Sequence, residues 1–314
     1  MWNSLIKTVP AGFARKIREF SVSKMAKSRF EYVKSFEQSD TLLRNCWIVV
    51  RVDGKGFHKF CDVHGFEKPN DNRGLNLMSL AAVNVMQEFN EIVIAYGQSD
   101  EYSFVFKRDS MVYERRRDKL VSYVASLFTS AYIFNWGYIF KDTVPLKYPP
   151  VFDARAVLYP TDQNLRDYLS WRQADVHINN LYNTAFWNLV ASGLTNAEAE
   201  NRLRGTLSSD KNELLFSEFN INYNNEPAMF RKGTVLLKKK TAVADNKSLS
   251  LIVPLFDDMI GDKFWQTHPE LLDGKLKQNN PLDIGGDIDH VLVQYQIEKH
   301  NRRTEGMKRK HESS

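Results

Sequence analysis

The chain has 314 residues, 43% of them hydrophobic, and a formal net charge of +5, enough apolar content for one large domain or two smaller ones. This moderate basic excess permits a nucleic-acid partner without requiring one, and a run such as Lys238-Lys239-Lys240 reads as a solvated face. Two cysteines, Cys46 and Cys61, exclude a disulfide framework and a four-cysteine zinc site and point to a reducing compartment, while no apolar run is long enough to span a bilayer.

Residues 1–24 carry Lys7, Arg15, Lys16 and Arg18 against the single acid Glu19, the composition of a mitochondrial transit peptide or of a basic arm. Met25 is an alternative start, so a cytoplasmic and a mitochondrial form are both expected. From Trp47 the elements become regular. Trp47 to Val50 is an apolar run of strand length, ended by the turn pair Asp53-Gly54. Asp71-Asn72 caps a helix whose apolar residues Leu75, Met78, Ala82, Met86 and Phe89 define one buried face. Glu91 to Tyr96 and Tyr102 to Phe106 form a hairpin across Gly97-Gln98-Ser99-Asp100-Glu101. A second helix is expected from Arg115 to Trp136, burying Leu120, Tyr123, Val124, Leu127, Phe128, Ala131 and Tyr132. After Pro149-Pro150, the alternation of Phe152, Ala154, Ala156 and Leu158 marks a strand.

The order β-α-β-β-α-β is that of an α+β, ferredoxin-like domain. A right-handed crossover makes the first two strands parallel, and the third strand then slots between them, antiparallel to the first. Asp53 and Asp100 become neighbours across that pair. Close carboxylates repel, and a divalent cation relieves the repulsion. Hard oxygen ligands, including a Gly54 carbonyl, favour Mg2+ over zinc, and paired ions of this kind serve in-line displacement at phosphorus. The plain alternative is that each acid is a turn residue; it is the pair and the topology together that point to metal.

Further along, the helix from Thr161 to Val190 crowds His177, Asn179, Asn180 and Asn183, residues of modest helix propensity, and amides of this kind hydrogen-bond phosphates and base edges. Lys211, Asn220, Asn222, Asn224 and Asn225 repeat the theme. Thr195-Asn-Ala-Glu198 is a capping box, and Arg231 to Lys240 with Ser248 to Val253 reads as a basic hairpin. The domain layout expected is a basic segment over 1–24, a catalytic domain over 25–160, a helical and hairpin region over 161–272 and a disordered tail over 273–314.

Arg-Val-Asp-Gly-Lys-Gly-Phe-His-Lys-Phe at 51–60, Lys-Pro-Asn-Asp at 68–71 and Tyr-Gly-Gln-Ser-Asp-Glu-Tyr-Ser-Phe at 96–104 resemble the tRNA(His) guanylyltransferases. So do Leu-Ser-Trp-Arg-Gln-Ala-Asp-Val-His-Ile-Asn-Asn-Leu-Tyr-Asn-Thr at 169–184 and Phe-Ser-Glu-Phe-Asn-Ile-Asn-Tyr-Asn-Asn-Glu-Pro at 216–227. The resemblance implies a polymerase-type palm, which agrees with the ferredoxin-like order, and a reverse, 3′-5′ addition of guanosine to the 5′ end of tRNA(His). ATP first adenylylates the 5′-phosphate, then the GTP 3′-hydroxyl attacks. It implies Mg2+, two ions per active site, on Asp53, Gly54 and Asp100; GTP on Asp53, Gly54, Lys55, Gly56, Phe57, His58, Ser99 and Asp100; and an activating nucleotide or triphosphate on Lys68, Asn70, Asp71, Arg116 and Lys119. tRNA contacts fall to His177, Asn179, Asn180, Lys211 and Asn222, and a homotetramer is implied. The alternatives are another palm-type nucleotidyltransferase or cyclase, and a non-catalytic RNA-binding or mitochondrial interaction protein. The amide-rich helices count against the first and the intact Asp53, Gly54 and Asp100 against the second.

Overall fold

A computed structural model of the chain describes residues 28–141, 143–243, 247–273 and 290–312; the expected transit peptide or basic arm over 1–24 lies outside them. Residues 1–39 and 40–314 are separate units. Among the described residues of the first, a 3-10 segment, Glu31–Phe36, carries an exposed ion pair between Lys34 and Glu31.

The second unit begins with β1, Trp47–Gly54, then α1, Phe57–Val63, and α2, Asn72–Glu88. The hairpin β2, Ile92–Gln98, and β3, Glu101–Phe106, leads to α3, Arg117–Phe134, α4, Trp136–Phe140, and β4, Phe152–Tyr159. Next come the long α5, Asp162–Ala191, then α6, Asn196–Leu203, α7, Ser208–Phe219, and α8, Ala228–Lys232. A second hairpin, β5, Thr234–Val243, and β6, Lys247–Leu255, precedes α9, Asp262–Thr267, α10, Glu270–Asp273, and α11, Val291–Glu312.

All six strands form one antiparallel sheet in the order β4-β1-β3-β2-β5-β6. Its first four positions are the expected ferredoxin-like arrangement, with β3 between β1 and β2. Both faces of β1 are covered. Ile48, Val50 and Val52 pack with residues of α2 and α3, whereas Trp47 and Val49 pack with Leu165 and Leu169 of α5. A strand buried on both faces reads as a continuous apolar run rather than an alternating one, which is why Trp47 to Val50 stands out in the sequence.

The long helices depart from expectation in instructive ways. Asp71 caps α2 by accepting the Arg73 amide, as read, but burial extends beyond one face to Leu77, Leu80, Ala81, Val83 and Val85, because α3, β2 and α11 all pack on this helix. In α3 the face of Leu120, Val124, Phe128, Ala131 and Tyr132 is buried, while Tyr123 is 50% exposed. Arg115 is not its first residue. It sits at φ +61° and its buried guanidinium donates to the carbonyls of Leu42, Leu43, Cys46, Arg108 and Ser110, tying five loop acceptors to one cation.

The basic hairpin is not a solvated appendage. β5 pairs with β2, Ile94 opposite Leu237, and Lys238 runs inward to donate to the Phe89 carbonyl at the end of α2, 3.1 Å away. Burial, with Lys107 nearby, pushes the Lys238 pKa down from 10.5 to about 8. Between those values the folded chain binds fewer protons at this site than the unfolded chain, so this group makes stability rise with pH through that window. Lys238→Met is expected to remove that contribution, on the order of 2 kcal/mol between about pH 7.5 and about pH 10. Urea unfolding of both proteins at the two pH values checks it, and an unchanged slope would place the ammonium in water.

The expected disordered tail is also corrected. Residues 274–289 lie outside the described residues, but Val291–Glu312 is helical and buries Leu292, Val293 and Gln296 against the sheet. Its carboxamide both accepts from the Ile252 amide at 3.0 Å and donates to the Ile252 carbonyl at 2.8 Å, so a side chain closes the open edge of β6 as a neighbouring strand would.

Candidate active site

The register that joins β1 to β3 sets Asp53 opposite Glu101, and the Gly54 amide donates to the Asp100 carbonyl at 3.0 Å. Two acids 47 positions apart thus meet at one end of the central strand pair. Ser99, held at φ +47°, turns the β2–β3 connection, and its side chain hydrogen-bonds Asp100. Burial raises the Asp100 pKa, and the charges of Asp53 and Glu101 push it further in the same direction. The position therefore disfavours a bare carboxylate, the electrostatic condition that a bound cation relieves.

A charge network supports this pole. Arg51, two residues before Asp53 on the same face of β1, pairs with Asp53 and Glu101. Glu101 is 7% exposed and also faces Arg172 of α5, 4% exposed, whose Nη1 lies 3.4 Å from each carboxylate oxygen and 3.4 Å from Asp175. The Arg172 guanidinium rests on the Trp171 ring, 3.5 Å from its centroid. Arg51, Glu101, Arg172 and Asp175 escape the expectations drawn from sequence. The signals were present: the two-residue spacing of Arg51 and Asp53 on a strand, and the three-residue spacing of Arg172 and Asp175 on a helix.

Among the described residues no group of three or more His, Cys, Asp or Glu side chains forms a metal cluster. The donors here are two carboxylates and a main-chain carbonyl, all hard oxygens. That set fits magnesium, which is ordinarily held by one or two carboxylates with waters and substrate phosphates completing the shell. It fits zinc poorly, because protein zinc sites ordinarily include histidine nitrogen or cysteine sulfur.

The acidic pole opens into a cleft of about 820 Å³. The expected residues Asp53, Phe57, His58, Lys68, Asn70, Asp71, Ser99, Asp100, Asn179 and Asn180 all line it. Their roles divide. Gly54 has no room for a Cβ, which would stand 2.3 Å from the Phe57 ring, and Gly56 sits at φ +68°. The Phe57 ring itself is core, stacked 4.9 Å from Phe60, so its approach to a ligand is through the backbone. The Lys55 amide is already committed to the Val151 carbonyl at 2.8 Å. Lys68 pairs with Asp62 at 2.8 Å and its ammonium stands 5.2 Å from the Trp187 ring centre. Asp71 is raised by burial but held below its usual range overall by the Arg73 side chain and the amides of Glu67 and Arg73, which makes it a helix cap and loop clasp. Asn180 donates to the Tyr223 hydroxyl at 2.9 Å, a buried structural bond.

Other expected residues stand off the cleft. Arg116 reaches Asp40 at 3.1 Å, and Lys119 lies 5.9 Å from the Tyr113 ring centre. Lys211 donates to the Thr206 carbonyl at 2.8 Å, and Asn222 accepts the Asn224 amide at 3.0 Å. His177 meets the Tyr223 ring edge-on at 5.5 Å, and burial with Arg231 nearby lowers its pKa.

The family model described as tRNAHis guanylyltransferase matches residues 30–160, and that described as Thg1 C terminal domain matches residues 163–312. The chain belongs to the tRNA(His) guanylyltransferase family. It is 61% identical over 249 residues to the probable tRNA(His) guanylyltransferase of Drosophila melanogaster, covering 79% of this chain and 86% of that protein. It is 54% identical over 259 residues to the tRNA(His) guanylyltransferase of Schizosaccharomyces pombe, covering 79% and 98%. The crystal structure of the Saccharomyces cerevisiae enzyme shares its fold at TM-score 0.63 and 46% identity, over 72% of this chain and 96% of that one. A bacterial Thg1-like protein solved in complex with ATP, at 22% identity and TM-score 0.63 over 77% and 98% of the two chains, shares the fold. Members of the tRNA(His) guanylyltransferase family are nucleotidyltransferases, and the cleft is the place where this chain's polar and acidic groups converge.

Proposed function

We propose that this chain adds a guanosine to the 5′ end of tRNA(His), at position −1, by 3′-5′ nucleotide addition. What supports the reading is the meeting of Asp53 and Asp100 in a cleft large enough for a nucleotide and an RNA end, with Gly54 joined to Asp100 by a main-chain hydrogen bond just behind them. ATP adenylylates the 5′-monophosphate with loss of pyrophosphate. The 3′-hydroxyl of GTP then attacks the activated phosphorus, AMP leaves, and the new 5′-triphosphate loses pyrophosphate.

Asp53, the Gly54 carbonyl and Asp100 are the groups that hold Mg2+, two ions per active site; when bound, these supply positive charge to the phosphoryl oxygens and acidify a hydroxyl. The chain's own groups position the substrates. Gly54, Lys55, Gly56, Phe57, His58 and Ser99 frame GTP, the first-turn amides of α1 being free of intrahelical acceptors. Lys68, Asn70 and Asp71 flank the activating nucleotide, and Asn179 faces the RNA end, with Asn180 behind it held to Tyr223. Arg51 and Arg172 keep the acidic pole from repelling a polyanion outright.

Arg116, Lys119, His177, Lys211 and Asn222 stand off the cleft of their own chain. A homotetramer, in which RNA held by one subunit enters the cleft of another, is part of the same proposal, as are both cytoplasmic and mitochondrial sites of action. The test is incubation with magnesium, ATP, labelled GTP and 5′-monophosphorylated tRNA(His) lacking the extra guanosine, with products resolved by length. One added nucleotide supports the reading. No addition by folded, RNA-bound protein contradicts it, and a cyclic nucleotide product favours a cyclase.

A further inference from the structure

One wall of the cleft has no role in what precedes. The buried stripe of α5 near its C-terminal half is Leu181, Thr184, Ala185 and Leu189. Trp187 falls off that stripe and faces the cleft, half-buried, with its ring edge-on to Phe186 at 5.2 Å. The Lys68 ammonium stands 5.2 Å from its centroid. Asn183 stands one turn before Trp187 on α5, Asn196 and Glu200 stand one turn apart on α6, which packs on α5, and all three line the same cleft and are exposed. Among the described residues, the side chains of Trp187, Asn183, Asn196 and Glu200 make no hydrogen bond or ion pair within the protein. A large indole left outside the core, beside three unengaged polar groups in a cleft, has the composition of a base-recognition corner. The ring offers a sequence-tolerant stacking surface, and the polar groups offer edge contacts.

We propose that this corner is a nucleobase subsite, in which a base stacks on the Trp187 indole beside Lys68 while Asn183, Asn196 and Glu200 read its edge. Glu200 only accepts hydrogen bonds, so it selects a base bearing an N–H donor such as an exocyclic amino group. Trp187 lines the same cleft as Asp53 and Asp100, which takes both the nucleotide and the RNA terminus in the proposed reaction. The base therefore belongs either to a free nucleotide triphosphate or to the end of the RNA. The inference rests on reading the cleft as a nucleotidyl-transfer site.

The test uses the full chain, with KM measured separately for ATP, GTP and tRNA lacking the guanosine. Trp187→Leu is expected to raise one of the three KM values by roughly tenfold, within the range of about five- to hundredfold known for loss of a stacked base, with kcat little altered. Trp187→Tyr restores most of the loss, which a purely packing role would not allow. The KM that moves identifies the source: that of a nucleotide for a free base, that of the RNA for its end. Unchanged KM values in Trp187→Leu, or equal losses in Trp187→Leu and Trp187→Tyr, would overturn the subsite. Glu200→Gln, at an exposed helix position, carries the test if Trp187→Leu does not fold. It is expected to raise the same KM a few-fold, and no change in any KM would overturn the proposal. Should the parent chain add no guanosine, the functional reading fails on its own; calorimetric binding of ATP, GTP and the RNA to parent and variants then decides the subsite by the same criteria.

Discussion

Asp53→Asn and Asp100→Asn are each expected to lower guanosine addition by at least about a thousandfold, the scale on which loss of a principal charge-stabilising group reduces such reactions. Each removes one of the two carboxylates at the foot of the cleft without changing its shape. Their effects on stability are expected to differ. Asp100 is half-buried and pushed toward its neutral form by desolvation and by Asp53 and Glu101, so neutralising it relieves repulsion, and Asp100→Asn is expected to unfold at the same or a higher denaturant concentration. Asp53 is paired with Arg51, so Asp53→Asn leaves that guanidinium to Glu101 alone and is expected to be neutral to slightly destabilising. Stability gained at the expense of activity is the signature of a functional carboxylate. Kinetics and urea unfolding of the two variants separate this from a structural role, since a structural Asp100 would lose stability on substitution.

Arg172→Met is expected to cost on the order of 3 kcal/mol of stability and to slow guanosine addition as well. The guanidinium is buried and faces both oxygens of Glu101 and one of Asp175. Methionine fills much of the same space, so the loss is chiefly electrostatic. Removing one member of a buried pair strands the other, which ordinarily costs about 3–5 kcal/mol; Arg51 still faces Glu101, which holds the figure to the lower end. The cycle with Glu101→Gln decides the cause. If the pair is coupled, the double variant is less destabilised than the sum of the singles. Additive losses would mean that Arg172 acts through packing on Trp171 instead.

The fold and the pairing of Asp53 with Asp100 were legible because both follow from element order. Strand periodicity, the Asp71 cap and crossover handedness are local or chiral rules, and together they bring residue 53 beside residue 100 without knowledge of any side-chain contact. What the sequence hid is what depends on tertiary closure. Lys238 lies in a charge run that reads as solvated, yet β5 pairs with β2 and turns it onto the end of α2. Arg115 sits where a helix is expected, but its guanidinium gathers carbonyls from loops far apart in sequence. Val291–Glu312 has a polar composition suggestive of disorder, and is ordered as a helix that gives Gln296 to the sheet edge. The network of Arg51, Glu101 and Arg172 joins three separate elements. Trp187 carries no signal in the helix sequence that sets it apart, and its place off the buried stripe of α5 is what distinguishes it.

Whether Asp53 and Asp100 hold divalent metal is read out by titration with Mn2+ followed by electron paramagnetic resonance. In the presence of a non-hydrolysable GTP analogue, the parent chain is expected to bind the ion saturably, with Asp53→Asn and Asp100→Asn each weakening that binding by about tenfold or more and Mg2+ competing for the site. Binding of equal strength in the parent and both variants would contradict the account.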